Sequence, residues 1–225
     1  MKPSERENLR YLNKEGETFS TEEELIFSLI AQLVVNPSSC LDLGCGSGQT
    51  LMRLATKFGP SVLTGVDFSS VAIDQALSNN INAIHLDLDS SLIPLPNNSQ
   101  SLITALDVIE HVFDPIFLLN QSYKLLEPGG FLFGIVPNDL HYITRLRSLA
   151  GISPVSRTYR KLGYNKHHTL MSRELLNFFL LKAGFNDISY HSVSFLLPGR
   201  RFLLPSSSFP LSSFFPGSII FYAQK

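Results

Sequence analysis

The run Cys40-Leu41-Asp42-Leu43-Gly44-Cys45-Gly46-Ser47-Gly48 restricts the fold of this chain more than any other stretch. It begins as a short apolar strand and then places glycine at every second position. Glycine enters left-handed backbone conformations without a Cβ penalty and lets the main chain approach a ligand closely. The residues that follow, 49–58, put Leu51, Leu54, Ala55 and Phe58 on one helical face. Strand, glycine turn and helix in that order predict the first unit of a doubly wound α/β sheet, with a nucleotide at the strand's carboxyl end.

Four further signals follow in order. Ser61 to Asp67 is a β-branched run closed by a carboxylate, about twenty residues beyond the loop, where such sheets place the acceptor for two ribose hydroxyls. Asp67 ahead of Phe68-Ser69-Ser70 also suits a helix cap, and the two uses are compatible. Ile81 to Asp89 predicts a third strand that again ends in acid. There Asp87 is either an acceptor for an exocyclic adenine amine, with Leu88 against the ring, or a solvated loop acid. His85, within that strand, is expected to pack in the core. A fourth strand runs from Ser101 to Asp107, and a helix starts at Asp114-Pro115, with acid at the cap and proline in the first turn. That helix ends on Pro128-Gly129-Gly130, and a fifth strand continues to Asn138.

Together these residues resemble the class I S-adenosylmethionine-dependent methyltransferases, in the broad group that includes ubiquinone-biosynthesis O-methyltransferases. The family's glycine loop matches Asp42 to Gly48, its ribose acid Asp67 and its adenine acid Asp87. Its motif after the fourth strand matches Asp107-Val108-Ile109-Glu110-His111, and its Pro-Gly-Gly turn matches residues 128–130. The resemblance is closest over residues 20–138, and His167 to Leu175 and Ala183-Gly184-Phe185 also look familial. It implies a Rossmann-like doubly wound sheet, mostly parallel with an antiparallel edge strand, plus an N-terminal helix and a lid insertion. It also implies S-adenosylmethionine as cofactor, bound by Asp42, Gly44, Gly46, Gly48, Asp67, Phe68, Asp87, Leu88 and Asp107.

The bulk properties agree. A chain of 225 residues that is 44% hydrophobic suits one α/β domain over 1–225. A net charge of −1 gives no global basic field, which counts against a nucleic-acid partner. Both cysteines, Cys40 and Cys45, lie in the glycine-loop strand, where reduced, small-residue roles fit a cytoplasmic setting. No apolar run reaches the roughly eighteen residues of a membrane span, and the charged segment 1–24 has no signal core.

Three segments decorate the expected core. Residues 1–36 form an N-terminal cap segment, with Ser20-Thr21-Glu22-Glu23 as a capping signature for the helix carrying Leu25, Leu29 and Leu33. Residues 139–171 form a basic lid insertion with Arg145, Arg147, Arg157, Arg160, Lys161 and Lys166, besides His141, His167 and His168. Such a charge excess would attract an anionic acceptor, or merely keep a helical face solvated. Residues 194–216, between edge strands near 185–195 and 217–223, are apolar and broken by Pro198, Pro205 and Pro210. They are expected to be neither long helix nor regular strand. An acceptor pocket, a peripheral membrane contact, a dimer contact and a folded-back piece of core all remain open for them.

A methyl group on a sulfonium is already activated, so the protein supplies mainly geometry and a desolvated site. A hydroxyl acceptor must also lose a proton. Catalytic roles therefore fall on His111, His168 and Glu110, with either imidazole as the base; His167 lies beside them in sequence. No Asn/Asp-Pro-Pro-aromatic tetrapeptide follows the fourth strand, which counts against planar amides or base amino groups as acceptors. Asp107-x-x-Glu110-His111 with His168 also resembles the metal set of small-RNA 3′-terminal 2′-O-methyltransferases, departing from it by aspartate at the first position. No metal ligand is assigned on that basis, and metal-assisted 2′-O-methylation of RNA stands as an alternative. A nicotinamide-dependent oxidoreductase is opposed by the glycine spacing, by Asp42 and by the Glu-His pair; a non-catalytic nucleotide-binding module is the third rival. The expectation is methyl transfer to a hydroxyl of a small or lipid-like acceptor, anionic if the basic insertion lines its site. Oligomeric state is not set by the sequence.

Overall fold

Cap residues and glycines in the sequence become element boundaries in the structure, a computed structural model that describes residues 19–59, 62–153, 167–197, 200–205 and 217–225. Ser20 caps helix α1 (Thr21–Leu33): its Oγ accepts the Glu23 N–H at 3.1 Å, and the Glu23 carboxylate accepts the Ser20 N–H, completing the expected capping box. Strand β1 (Ser39–Leu43) turns through the glycine loop into α2 (Gln49–Phe58), followed by β2 (Val62–Asp67), α3 (Ser70–Ser78) and β3 (Asn82–His85). After a loop, β4 (Gln100–Leu106) leads through a 3₁₀ turn at Ile109–His111 into α4 (Pro115–Leu125), capped by Asp114 with proline in its first turn. Then come β5 (Leu126–Pro137), α5 (Tyr142–Leu149), α6 (Arg173–Ala183) and the strands β6 (Asp187–Leu197), β7 (Arg200–Pro205) and β8 (Ser218–Gln224).

All eight strands form one sheet in the order β3-β2-β1-β4-β5-β8-β6-β7. The strands from β3 to β5 are parallel, and β8 runs antiparallel between β5 and β6. Side chains alternate across the sheet as the period of two requires. Cys40, Leu102, Phe133 and Ile220 face α1, α2 and α3, while Leu41, Ile103, Leu132 and Phe221 face α4 and α6. Both faces are covered, which is why the central strands are near-continuous hydrophobic runs. Strand order reverses between β1 and β4, so their carboxyl ends open a crevice flanked by the glycine loop and the 3₁₀ turn.

Two expectations are corrected. His85 is exposed, not packed in the core, and its Nε2 lies 2.8 Å from the Phe68 carbonyl; β3 is an edge strand, so alternation there does not bury both faces. Residues 194–197 continue β6, and 200–205 form β7, so the first half of the expected irregular loop is a hairpin edge. Pro205 does not break it, since it ends β7 and proline is tolerated at sheet edges; Pro198, Pro210 and the remaining apolar residues from 206 to 216 lie outside the described residues. No helix among the described residues is long and apolar enough to cross a membrane.

Gly134 shows how tightly the centre of the sheet is packed. It pairs with Phe221, whose ring lies over the glycine, and a Cβ there would lie 2.5 Å from Phe221 Cζ and 3.1 Å from the Ala105 carbonyl. Phe221 is fully buried and has nowhere to retreat. Gly134→Ala is therefore expected to cost about 1–3 kcal/mol through overpacking, a fall in Tm of roughly 2–12 °C for a domain this size, measured by thermal melting.

Candidate active site

The glycine loop is fixed by its neighbours. Gly44, Gly46 and Gly48 have φ of +68°, +53° and +84°, the left-handed region that disfavours a Cβ. A Cβ on Gly44 would lie 2.6 Å from Val108 Cγ2, so Val108 after β4 fills the space directly against the loop. The Gly44 and Cys45 N–H groups both donate to the Val66 carbonyl, at 2.7 and 3.0 Å. Gly48 caps α2 without any side-chain cap, leaving that helix's first N–H groups facing the loop.

The acids expected to line the crevice differ in environment. Asp67 is buried, and its Oδ2 accepts the Gly46 N–H at 2.9 Å while Oδ1 accepts the Ser69 N–H at 2.8 Å. The helix cap is Ser69, whose side chain accepts the Ala72 N–H; Asp67 instead ties the glycine loop to the start of α3. Asp42 is buried too, and its Oδ1 accepts the Thr104 hydroxyl at 2.6 Å. Burial drives its carboxyl from 3.8 up to about 7; the Thr104 bond opposes this, and the charges of Asp67 and of Glu23 on α1 add to it.

Asp87 is exposed and organises its own turn, accepting from the Asp89 N–H at 3.0 Å and the Ser90 hydroxyl at 2.9 Å. Leu88 is buried in the cluster on the α4–α6 side, and Phe68 is partly exposed beside Asp67. Asp107 is exposed with φ of +53°, a strained conformation for a residue with a Cβ, and its N–H donates to the Ile135 carbonyl at 3.0 Å.

Around the 3₁₀ turn a second group assembles. Glu110 is 1% exposed, and burial, with added repulsion from Asp107 and Asp139, raises its carboxyl to about 8 despite an opposing backbone hydrogen bond. The His111 ring meets that of His167 edge to face at 4.8 Å, whereas His168 stacks on Phe113 at 3.8 Å. Burial lowers the His167 imidazole's affinity for a proton, partly offset by Asp139. The His168 and Thr169 N–H groups donate to the Glu110 carbonyl at 2.8 and 3.2 Å, so the end of the insertion is fastened over the turn. Its two ends also meet: Asp139 N–H donates to the Met171 carbonyl at 2.9 Å, and Met171 N–H to Asp139 Oδ2 at 2.8 Å. Arg157, Arg160, Lys161 and Lys166 lie outside the described residues, while α5 carries Arg145 and Arg147.

Thr104, Val108 and Asp139 were not singled out as site residues from sequence. Thr104 carries only a partial signal in the sequence, a hydroxyl inside an apolar strand; its register with Asp42 across β1 and β4 belongs to the sheet. Cys40 and Cys45 are both free and buried, and burial holds both thiols well above their ordinary range, so they serve as packing groups.

The open sheet, the switch point and a glycine cradle fastened by an acid define a nucleotide-binding α/β protein. Comparison with known proteins narrows this. A family model described as a methyltransferase domain matches residues 19–190. The ubiquinone biosynthesis O-methyltransferase of Coxiella burnetii is 32% identical over 106 residues, 45% of this chain and 44% of that protein. The chain thus matches less than half the length of that relative. Among solved structures, a Thermotoga maritima methyltransferase described as a possible histamine N-methyltransferase aligns with a TM-score of 0.65 at 17% identity, covering 88% of this chain and 86% of that one. A Haemonchus contortus phosphoethanolamine N-methyltransferase aligns at 0.66 and 18% identity, covering 90% of this chain and 52% of that one. The chain belongs to the methyltransferase-domain family, with the fold of the class I S-adenosylmethionine-dependent methyltransferases.

Proposed function

We propose that this protein transfers a methyl group from S-adenosylmethionine to a hydroxyl of a small or amphipathic acceptor, anionic where the basic insertion lines the site. The observation that carries the reading is the contact between Val108 and Gly44. It brings the cofactor cradle against the turn that bears Glu110 and His111, with His167 and His168 fastened above.

The residues fit the cofactor. Gly44, Gly46 and Gly48 hold the left-handed backbone that bends the loop beneath the cofactor, and the α2 N-terminus offers unpaired donors for a carboxylate. Asp67, with Phe68 beside it, is assigned the ribose hydroxyls, and Asp87, with Leu88, the adenine edge. Asp42 and Asp107 complete the set on the methionine side, Asp42 as a buried acid next to which an ammonium would relieve an unfavourable charge. When bound, the cofactor supplies a methyl group already activated by its sulfonium. The chain's own contribution is alignment, exclusion of water by the fastened insertion, and acceptance of the hydroxyl proton by His111 or His168, with Glu110 holding His111 in place.

A hydroxyl acceptor is favoured by the two imidazoles at the crevice mouth and by the name of the Coxiella relative; the N-methyltransferase neighbours share the fold alone. The test has two stages. Calorimetry should detect micromolar binding of S-adenosylmethionine and S-adenosylhomocysteine and none of NADH. Labelled methyl transfer to hydroxyl acceptors carrying an apolar tail, with and without a carboxylate or phosphate, is then compared with transfer to matched amines. Transfer to hydroxyls should fall by about 10²–10⁴-fold in the variant that removes the base, His111→Ala or His168→Ala. Parent-level turnover in both variants, or transfer to amines alone, overturns the hydroxyl assignment.

A further inference from the structure

We propose that Glu110, His111 and His167 form a binding site for a first-row divalent metal ion, of which Zn²⁺ is the representative, at the mouth of the cofactor crevice. One donor atom from each residue lies within 4.8 Å of the other two. Glu110 Oε1 is 3.9 Å from His111 Nε2, and the two histidine rings meet at 4.8 Å. Glu110 is 1% exposed, and its Oε2 is buried with no hydrogen-bond partner among the described residues. A buried carboxylate oxygen without a donor is costly, on the order of 1–3 kcal/mol. A cation between the three donors supplies the missing partner.

The distances suit closure onto an ion. Metal–nitrogen and metal–oxygen bonds of about 2.0–2.2 Å put neighbouring donor atoms roughly 3–3.5 Å apart. The trio must therefore contract by about an ångström, which small side-chain rotations accomplish. The backbone already holds the parts together: His111 N–H donates to the Val108 carbonyl at 2.9 Å, and the Glu110 carbonyl receives both the His168 and Thr169 N–H groups. Asp139 lies close enough for its charge to act on both Glu110 and His167, as an outer anion supporting the site.

Two imidazoles and one carboxylate select Zn²⁺, Fe²⁺ or Co²⁺ over Mg²⁺ or Ca²⁺, which prefer oxygen. Three protein donors leave a coordination position open, the pattern of catalytic rather than structural sites. An acceptor oxygen in that position would be polarised next to the cofactor crevice. The ligand set differs from the one suggested by sequence: His167 takes the place of His168, whose ring is committed to Phe113, and Asp107 does not belong to the group. The proposal deepens the methyl-transfer reading, in which His168 then remains as the proton acceptor, but metal binding itself does not depend on that reading.

The test uses the full chain after treatment with a chelator, titrated with Zn²⁺ and with Co²⁺ in the absence of S-adenosylmethionine. One ion should bind per chain with micromolar or tighter affinity, and Co²⁺ should give the visible absorption of a low-coordinate site. Ring ¹⁵N resonances of His111 and His167 should shift on adding Zn²⁺ while those of His168 and His191 stay in place. This is read on the unmutated protein, so it stands even if a variant fails to fold. Glu110→Gln and His167→Ala should each weaken binding by more than about 10-fold, and His191→Ala should not. Absence of saturable binding, shifts confined to other histidines, or full binding by Glu110→Gln and His167→Ala overturns the site. S-adenosylmethionine affinity measured in chelator reports separately on the cofactor assignment.

Discussion

Asp67→Ala is expected to weaken S-adenosylmethionine binding by about 10²–10⁴-fold, enough to abolish a calorimetric signal at micromolar protein. Two hydrogen bonds to ribose hydroxyls from a charged acceptor contribute about 1.5–3 kcal/mol each, and every 1.4 kcal/mol is tenfold in affinity. A second effect acts in the same direction. Asp67 accepts the Gly46 and Ser69 N–H groups, so alanine leaves two buried donors unpaired and loosens the glycine loop from the start of α3. The loss should therefore appear in stability as well, by about 1–3 kcal/mol. Asp67→Asn separates the two contributions, since its amide oxygen still accepts one backbone donor while the charge is gone. An intermediate affinity is expected for asparagine, with stability closer to the parent protein. Parent-like affinity in Asp67→Ala would remove Asp67 from the cofactor site and leave it only the role of fastening the loop.

The features legible in the sequence were those encoded by neighbours along the chain. Ser20 with Glu23 and Asp114 with Pro115 mark helix starts through local hydrogen bonds, and each falls where the structure begins a helix. The glycine loop and the acid closing β2 follow the same logic, because a tight turn after a buried strand has few chemical solutions. What could not be read depends on through-space partners. Choosing between His167 and His168 requires knowing that the Glu110 carbonyl captures the N–H groups of 168 and 169, which aims one ring at His111 and leaves the other on Phe113. The burial of Asp42 against Thr104 depends on the register of β1 with β4. His85 escapes the core because the sheet order puts β3 at an edge, a placement that its own strand does not encode.

Asp42→Asn should stabilise the cofactor-free protein at pH 8 while weakening its grip on S-adenosylmethionine, the two effects having one cause. The Asp42 carboxyl is held near 7 against an ordinary 3.8, chiefly by burial, so the folded protein keeps a proton that the unfolded chain has released. Its contribution to stability is intact below about pH 4 and is lost progressively as pH rises to about 7; beyond that the penalty is constant. At about 1.4 kcal/mol per unit, the ceiling of that penalty is roughly 4 kcal/mol. Asparagine retains an oxygen for the Thr104 hydroxyl and has nothing to ionise, so its melting temperature should not share the decline between about pH 4 and 7. The cofactor's ammonium group reverses the balance. An ionised Asp42, costly in the empty site, becomes the partner of a cation, so affinity in the parent protein should rise as pH passes through 7. The Asn variant should lack that rise and bind about 10–100-fold more weakly at pH 8, the equivalent of one charge-assisted contact. Melting curves and calorimetric titrations at pH 6 and 8 read both quantities. Parallel pH profiles in the two proteins would mean that Asp42 is already ionised in the fold, and the coupling between its burial and cofactor binding would fall. A stability gain with unchanged affinity would keep the burial cost and remove Asp42 from the cofactor's ammonium, leaving it as a buried acid that serves the β1–β4 register through Thr104.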